Sequence, residues 1–348
     1  MYDAPDPVAL TRCFLPADPC AAAELCTRGH INTTFFVTVR SGARFVLQRI
    51  NPQVFPDPRV VARNVADVCA HLAPSGLVPG LVPDAAGRLW TEDATGDVWR
   101  LARHVPGRSL AFLADLDQAR AAGGAFAGLQ RALADFDGTR LAPAIPFFHD
   151  LTWRLGRMDA VLAAPPPGTF ADRRREARSE LAFVEARRGL AREGASDRLP
   201  GVIHGDCKVN NLLFDETDHV TAVVDLDTVM VGSRAWDFGD LVRSAASTAA
   251  EDDPSADLSM SLFRAIAAGF VEELGVTLSS VDRAGLVTAC RYMTFMLGLR
   301  FLIDFLEGDV YFRAAHPRHN LVRARAQFSL VARMEQRERQ MLHIAREV

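Results

Sequence analysis

The stretch Val202-Ile-His-Gly-Asp-Cys-Lys-Val-Asn-Asn-Leu-Leu-Phe214 constrains this chain more than any other. Apolar residues flank a polar turn on both sides, which predicts a buried strand, a loop and a second strand. A further apolar run, 220–224, ends at Asp225-Leu-Asp-Thr228 and predicts a third strand that stops on a carboxylate. The polar loop holds Lys208, the only lysine among 348 residues; the other 38 basic side chains are arginine. A compact ammonium is kept where arginine serves everywhere else, and the two cations are not interchangeable next to phosphate oxygens.

Acid, amide and cation at these offsets suit phosphoryl transfer. The catalytic loop of kinases reads H-R-D-x-x-x-x-N, in which Asp takes the proton of the attacking hydroxyl and Asn binds Mg²⁺. His204, Asp206 and Asn211 keep that spacing, with Gly205 in the middle position. Asp206 is therefore the expected base, and Lys208 is expected to aim its ammonium at the phosphate in transfer. Asn211 and Asp225 offer hard oxygen ligands, which Mg²⁺ takes together with water and substrate phosphates. Asp227 lies on the same side of its strand as Asp225, so it either shares the metal or braces the site. A literal Asp237-Phe-Gly239 also occurs, but it follows Trp236 at the entry to a helix rather than ending the strand after the loop. Its expected role is structural, as a helix cap or a brace for the His204 loop.

At this length one core stops growing, so two domains are expected: an N-terminal one over 1–106 and a C-terminal one over 107–348. The net charge of −4 argues against a general nucleic-acid or membrane-surface binder. Six cysteines with no C-x-x-C pair suggest free thiols in a reducing compartment. No signal-like N-terminus and no run of about 20 apolar residues is read, so a cytoplasmic location is expected.

In chain order, a short helix is expected at 8–14 and a strand at 21–26. Segment 35–39 is β-branched and aromatic, Ser41-Gly42 is a turn, and 44–50 resumes a strand, which reads as a hairpin. Val61, Val65, Val68 and Leu72 recur at helical spacing, and 88–91 with 98–104 reads as a second hairpin. Helices follow over 119–136, 151–162 and 171–192, the last heavily charged. After the loop come helices over 236–249, 258–274, 281–306 and 320–348. The fold class is therefore α+β: a small sheet-plus-helix lobe, then a large, mainly helical one.

Protein-kinase signatures are otherwise missing. The chain has a lone Gly29 in place of a glycine-rich loop, Gln48 where a strand lysine belongs, and no glutamate on helix 57–72. Phosphate charge would then fall to Mg²⁺, Lys208 and Arg49. The pattern resembles the aminoglycoside phosphotransferase–choline kinase group, which has a bilobal, protein-kinase-like fold. Within it the chain resembles bacterial N-acetylhexosamine 1-kinases. The likeness lies in Gly29-His-Ile-Asn-Thr-Thr34, Val46-Leu-Gln-Arg-Ile-Asn51, Phe148-His-Asp150, Asp225-Leu-Asp-Thr228, Asp237-Phe-Gly-Asp240, the segment from Arg300 to Phe312, and His319-Asn-Leu-Val-Arg323.

That resemblance implies transfer from ATP, with Mg²⁺, to the anomeric hydroxyl of GlcNAc or GalNAc. It also implies Asp206 as base, Asn211 and Asp225 on the metal, and His30, Arg300 and Tyr311 on the sugar or phosphate. Gln48 is shared with those enzymes; together with Arg49 and His104 it is assigned to the nucleotide. Asp304 is assigned to the substrate region, although as the i+4 neighbour of Arg300 it could form only a helix ion pair. Two other readings stay open. One is a kinase of the same fold for a cationic amine such as choline or an aminoglycoside, which needs an acidic cleft; Asp304, Glu307 and Asp309 are the candidates. The other is a non-catalytic nucleotide-binding module.

Overall fold

The structure is a computed structural model, and it describes residues 6–27, 31–165, 168–194, 199–247 and 252–348. The chain runs α1 (Pro7–Phe14), β1 (Cys20–Leu25), β2 (Thr33–Val39), β3 (Arg44–Arg49), α2 (Pro58–Leu72), β4 (Thr91–Glu92), β5 (Val98–Arg103) and β6 (Arg108–Ser109). It continues with α3 (Leu116–Ala132), α4 (Leu151–Ala163), α5 (Phe170–Glu176), α6 (Arg178–Glu185), α7 (Leu190–Gly194), β7 (Pro200–Ile203), β8 (Leu212–Phe214), β9 (Val220–Val223) and β10 (Met230–Ser233). The last helices are α8 (Arg234–Ala245), α9 (Met260–Glu273), α10 (Ser280–Glu307), α11 (His319–Gln336) and α12 (Glu338–Glu347).

Packing divides these elements into two compact units. The first holds Met1–Ser109, Ala132–Pro146 and Asn211–Val231; the second holds Leu110–Arg131, Phe147–Asn210 and Gly232–Val348. The domains expected from the sequence are contiguous, whereas each unit draws on three stretches of chain.

The first unit is built on an antiparallel sheet in the order β1-β2-β3-β5-β4. Alternation along the strands separates its two faces. Phe35, Leu47 and Leu101 are cross-strand neighbours, and Leu47 and Leu101 join Leu10 and Phe14 of α1 in an apolar cluster around Trp99. One residue along each strand, Thr34, Gln48 and Arg100 are neighbours in turn, forming a polar row on the other face. Pro58 opens α2 behind the N-cap Asp57, and Val61, Val65, Val68 and Leu72 are buried as the spacing predicts. The loop strands β8 and β9 pair with β6 in a three-stranded antiparallel sheet.

The second unit is arranged around α10. Its Phe295, Leu299, Leu302 and Phe305 share a buried cluster with Leu151, Leu155 and Met158 of α4 and Leu321, Phe328 and Val331 of α11. The Ser279–Asp282 capping box starts α10, and Gly308 at φ 105° ends it. Contrary to the sequence reading, this helix is long and apolar enough to cross a membrane; it is nevertheless mostly buried within the protein.

Two expected helices are broken. Segment 171–192 forms α5, α6 and α7, with Ala177 between the first two, and Arg173 within α5 reaches the Phe305 carbonyl and Asp309. Segment 320–348 bends at Arg337, whose guanidinium binds Asp257 and the Leu258 carbonyl. The second hairpin is also shorter than expected: Asp84 gathers the Ala86 and Arg88 amides into a tight turn, and the strand begins only at Thr91.

Candidate active site

The loop after β7 belongs to the second unit and is held from below. Asp237 is 1% exposed and accepts hydrogen bonds from the His204 and Gly205 amides, both at 2.9 Å, and from the Gln130 side chain at 2.8 Å. The Asp of the literal Asp-Phe-Gly triplet is thus a brace for the loop backbone. Its glycine is a packing residue: a Cβ on Gly239 would collide with the Ala289 carbonyl where α8 meets α10. His149, immediately before α4, donates from Nε2 to the Gly205 carbonyl at 2.8 Å, and its own carbonyl accepts from the Tyr292 hydroxyl. Burial lowers the His149 pKa, so the ring stays neutral and keeps Nε2–H as a donor. Gly205 sits at φ 80°, which glycine enters freely and which explains the departure from H-R-D.

On this frame stand Asp206 and Lys208. The Lys208 Nζ lies 2.9 Å from the Asp206 carboxylate, whose side chain is 22% exposed. Burial pushes the Asp206 pKa up, but Lys208, then His204 and Arg243, outweigh it and hold the group below its ordinary range. Asp206 is therefore an ionised acceptor, as a base must be. The Asp206 amide donates to Nδ1 of His204, which is fully buried with its ring edge-on to Phe126.

The other predicted ligands belong to the first unit. The Val224 amide donates to the Asn211 carbonyl at 2.9 Å, which brings β8 and the end of β9 together at Asn211 and Asp225. Asp225 is exposed and takes φ 65°, ψ 57°, a left-handed turn that carries its carboxylate off the strand. An amide and an exposed carboxylate so placed fit a hard divalent cation.

Asp227 does not fit one. It is 2% exposed, one oxygen lies 2.5 Å from Arg100 as an ion pair, and the other accepts from Asn32 at 2.6 Å. Of the two alternatives for Asp227, bracing is the one this geometry favours. Gln48 is tied to Arg100 and Thr34, and Arg49 to Asp97 and Thr33. His104 packs against the Phe36 ring, and burial followed by the charge of Arg44 lowers its pKa.

His30 lies outside the described residues. Arg300 is not paired with Asp304; its guanidinium lies over the rings of Phe148, Phe312 and Tyr311, at 4.9, 5.3 and 5.8 Å. Asp304 instead accepts the Val310, Tyr311 and Phe312 amides and the Asn320 side chain, shaping the segment that carries Tyr311. Both of its oxygens are engaged and the residue is 2% exposed, so what the structure shows for Asp304 is support of the 310–312 backbone. Arg154, unremarked in the sequence, stacks on Trp153, and burial and the charge of Arg300 lower its pKa to about 10. Sequence reasoning also missed His149, Gln130 and Arg100. Only His149 had a signal, in the Phe-His-Asp motif.

This fold, with a braced His-Gly-Asp loop, defines a protein of the phosphotransferase kind. Residues 23–275 match the phosphotransferase enzyme family, and the chain belongs to it. Solved structures share the α+β kinase-like fold expected from the sequence. A microcompartment-associated aminopropanol kinase aligns with a TM-score of 0.66 at 21% identity, covering 92% of this chain and 93% of its own. An aminoglycoside phosphotransferase from Alicyclobacillus acidocaldarius gives 0.64 at 14% identity, covering 100% and 97%. An amicoumacin kinase in complex with AMP-PNP and Ca²⁺ gives 0.61 at 13%, covering 88% and 87%.

Proposed function

We propose that this protein is an ATP- and Mg²⁺-dependent small-molecule kinase whose acceptor is the anomeric hydroxyl of an N-acetylhexosamine. The observation that carries the kinase reading is the ionised Asp206, beside the only lysine of the chain, on a loop pinned by Asp237 and His149. Asp206 orients the acceptor hydroxyl and takes its proton. Lys208 keeps that carboxylate charged before the substrate arrives and offers its ammonium to the transferring phosphate. Asn211 and Asp225 would hold the divalent cation, which supplies charge neutralisation on the nucleotide phosphates when bound. The amicoumacin kinase complexed with a nucleotide analogue and Ca²⁺ supports a nucleotide and a divalent cation for this chain as well.

The choice of a sugar over a cationic amine rests on the second unit. The amine reading needs free acids near Arg300, yet Asp304 is consumed by the 310–312 backbone, Glu307 pairs with Arg157, and Asp309 pairs with Arg173 and Asn320. Among the described residues, Arg154 and Arg300 face these elements with aromatic neighbours and no ion-pair partner. Guanidinium donors and rings suit a neutral, acetamido-bearing sugar better than a cation.

The test is ADP release, with ATP and Mg²⁺, across GlcNAc, GalNAc, glucose, galactose, choline and an aminoglycoside. GlcNAc or GalNAc should exceed the plain hexoses by about tenfold or more in kcat/KM, since a site built for the acetamido group leaves polar partners unpaired without it. Preference for choline or the aminoglycoside would replace the sugar by the amine. ATP turnover without any acceptor dependence would contradict the kinase itself.

A further inference from the structure

The chain lacks the strand lysine and helix glutamate that tie a kinase's nucleotide sheet together, yet the first unit contains a buried ion pair of its own. Arg100 on β5 is 4% exposed, and its guanidinium is divided between two partners. Nε and one terminal nitrogen donate to the Gln48 side-chain oxygen at 3.1 and 2.9 Å, and the other terminal nitrogen meets Asp227 at 2.5 Å. Gln48 in turn donates to Thr34, while Asp227 accepts from Asn32, whose own oxygen takes the Asn51 amide. Hydrogen bonds on either side and the Arg100–Asp227 ion pair between them thus link the polar face of the sheet to the turn that follows β9.

That turn is short and conformationally costly. Asp225 sits in left-handed geometry immediately before the 226–228 helical turn. A non-glycine residue keeps such a backbone only where its surroundings over-determine it. Asp227, two residues on, is the point at which they do so. We propose that Arg100 is the positioning residue of this turn: it commits Asp227 to structure, ties it to Gln48 across the sheet, and leaves Asp225 as the carboxylate the turn presents to a divalent cation. The proposal rests on the metal-dependent kinase reading given above. Burial works against the charge on Arg100, but Asp227, with Asp225 adding to it, raises its pKa above the ordinary range. Cys69 of α2 lies near the same pair, and burial pushes its thiol up to about 11, so it stays neutral and does not compete for the arginine.

The test uses the full chain as Arg100→Lys, Arg100→Gln, Asp227→Asn, and the double variant Arg100→Gln/Asp227→Asn. AMP-PNP binding is titrated calorimetrically with Mg²⁺ and with EDTA, and melting temperatures are recorded. Arg100→Lys keeps a charge but loses the fork. It should reduce the Mg²⁺-dependent gain in nucleotide affinity by about tenfold to a hundredfold, the range for outer-shell partners of a metal site. Affinity in EDTA should stay within about twofold of wild type, because no direct nucleotide contact is removed. Asp227→Asn should do the same, and the double variant should be no worse than either single, since the two residues act as a unit. Were Asp227 itself a metal ligand, Asp227→Asn would lose the Mg²⁺ gain while Arg100→Lys kept it, overturning the proposal. A lowered melting temperature with an unchanged Mg²⁺ gain would also overturn it, leaving Arg100 a purely structural residue. Absence of any Mg²⁺ gain in the wild-type chain would overturn the kinase reading and this proposal together.

Discussion

Replacing Asp237 with alanine tests whether the His204 loop is held as described. Its carboxylate takes three hydrogen bonds, and the substitution leaves the His204 and Gly205 amides without their acceptor in a buried place. Each orphaned buried donor costs about 1–3 kcal/mol. Some of this is offset because a charge that is itself costly to bury disappears. The net loss should be about 3 kcal/mol, and Asp237→Asn, which keeps one acceptor oxygen, should lose about half as much. Calorimetric melting measures the stability, while native-state hydrogen exchange reads the two amides individually. Protection at His204 and Gly205 should fall more than protection in α10, because the damage is local. An alanine variant that melts within about half a kcal/mol of wild type, with both amides still protected, would refute the bracing role.

Other expectations concern the chemistry and the acceptor region. Asp206→Asn should lower kcat by about a hundredfold or more while leaving ATP affinity nearly unchanged, because a base acts in the transition state; equal losses in kcat and nucleotide binding, by single-turnover and binding measurements, would contradict this. The Asp206 pKa is depressed, so its charge persists below the unfolded value and is lost only as pH falls through the lowered folded one. The acid limb of kcat/KM should accordingly lie below the ordinary aspartate range, and Lys208→Met, which leaves burial less opposed, should move it to higher pH. An unmoved limb in the pH profile would remove Lys208 from that role. Asp304→Ala should cost about 2–4 kcal/mol and open 310–312 to proteolysis, since three backbone amides lose one acceptor. A raised acceptor KM at unchanged stability would instead return Asp304 to direct substrate contact.

What could be read from the sequence was whatever local chemistry decides. β-Branched and aromatic residues beside the Ser41-Gly42 turn set the hairpin of β2 and β3, and helical spacing set α2, because each depends only on residues within a few positions. The His204 loop was legible because apolar strands bracket it. The partners of Arg173 were not, since Phe305 and Asp309 lie more than a hundred residues away in the chain. The same holds for the site. The offsets from His204 to Asp227 marked the candidate residues, but Arg100 was one arginine among 38, and its link to Gln48 comes from cross-strand register. Asp304 illustrates the converse: its spacing from Arg300 suggested a helix pair, and the chain beyond the helix claimed it first.

The most direct test of the proposed activity is phosphorus NMR of the product formed from ATP, Mg²⁺ and N-acetylhexosamine, alongside the 1-O-methyl glycoside. GlcNAc or GalNAc should give a sugar 1-phosphate. The methyl glycoside should give no product and should inhibit, because it fills the site without an anomeric hydroxyl for Asp206 to deprotonate. A phosphorylated methyl glycoside would move the transfer to another hydroxyl and contradict the 1-kinase reading, and no phosphorylated sugar from either epimer would contradict the sugar kinase altogether.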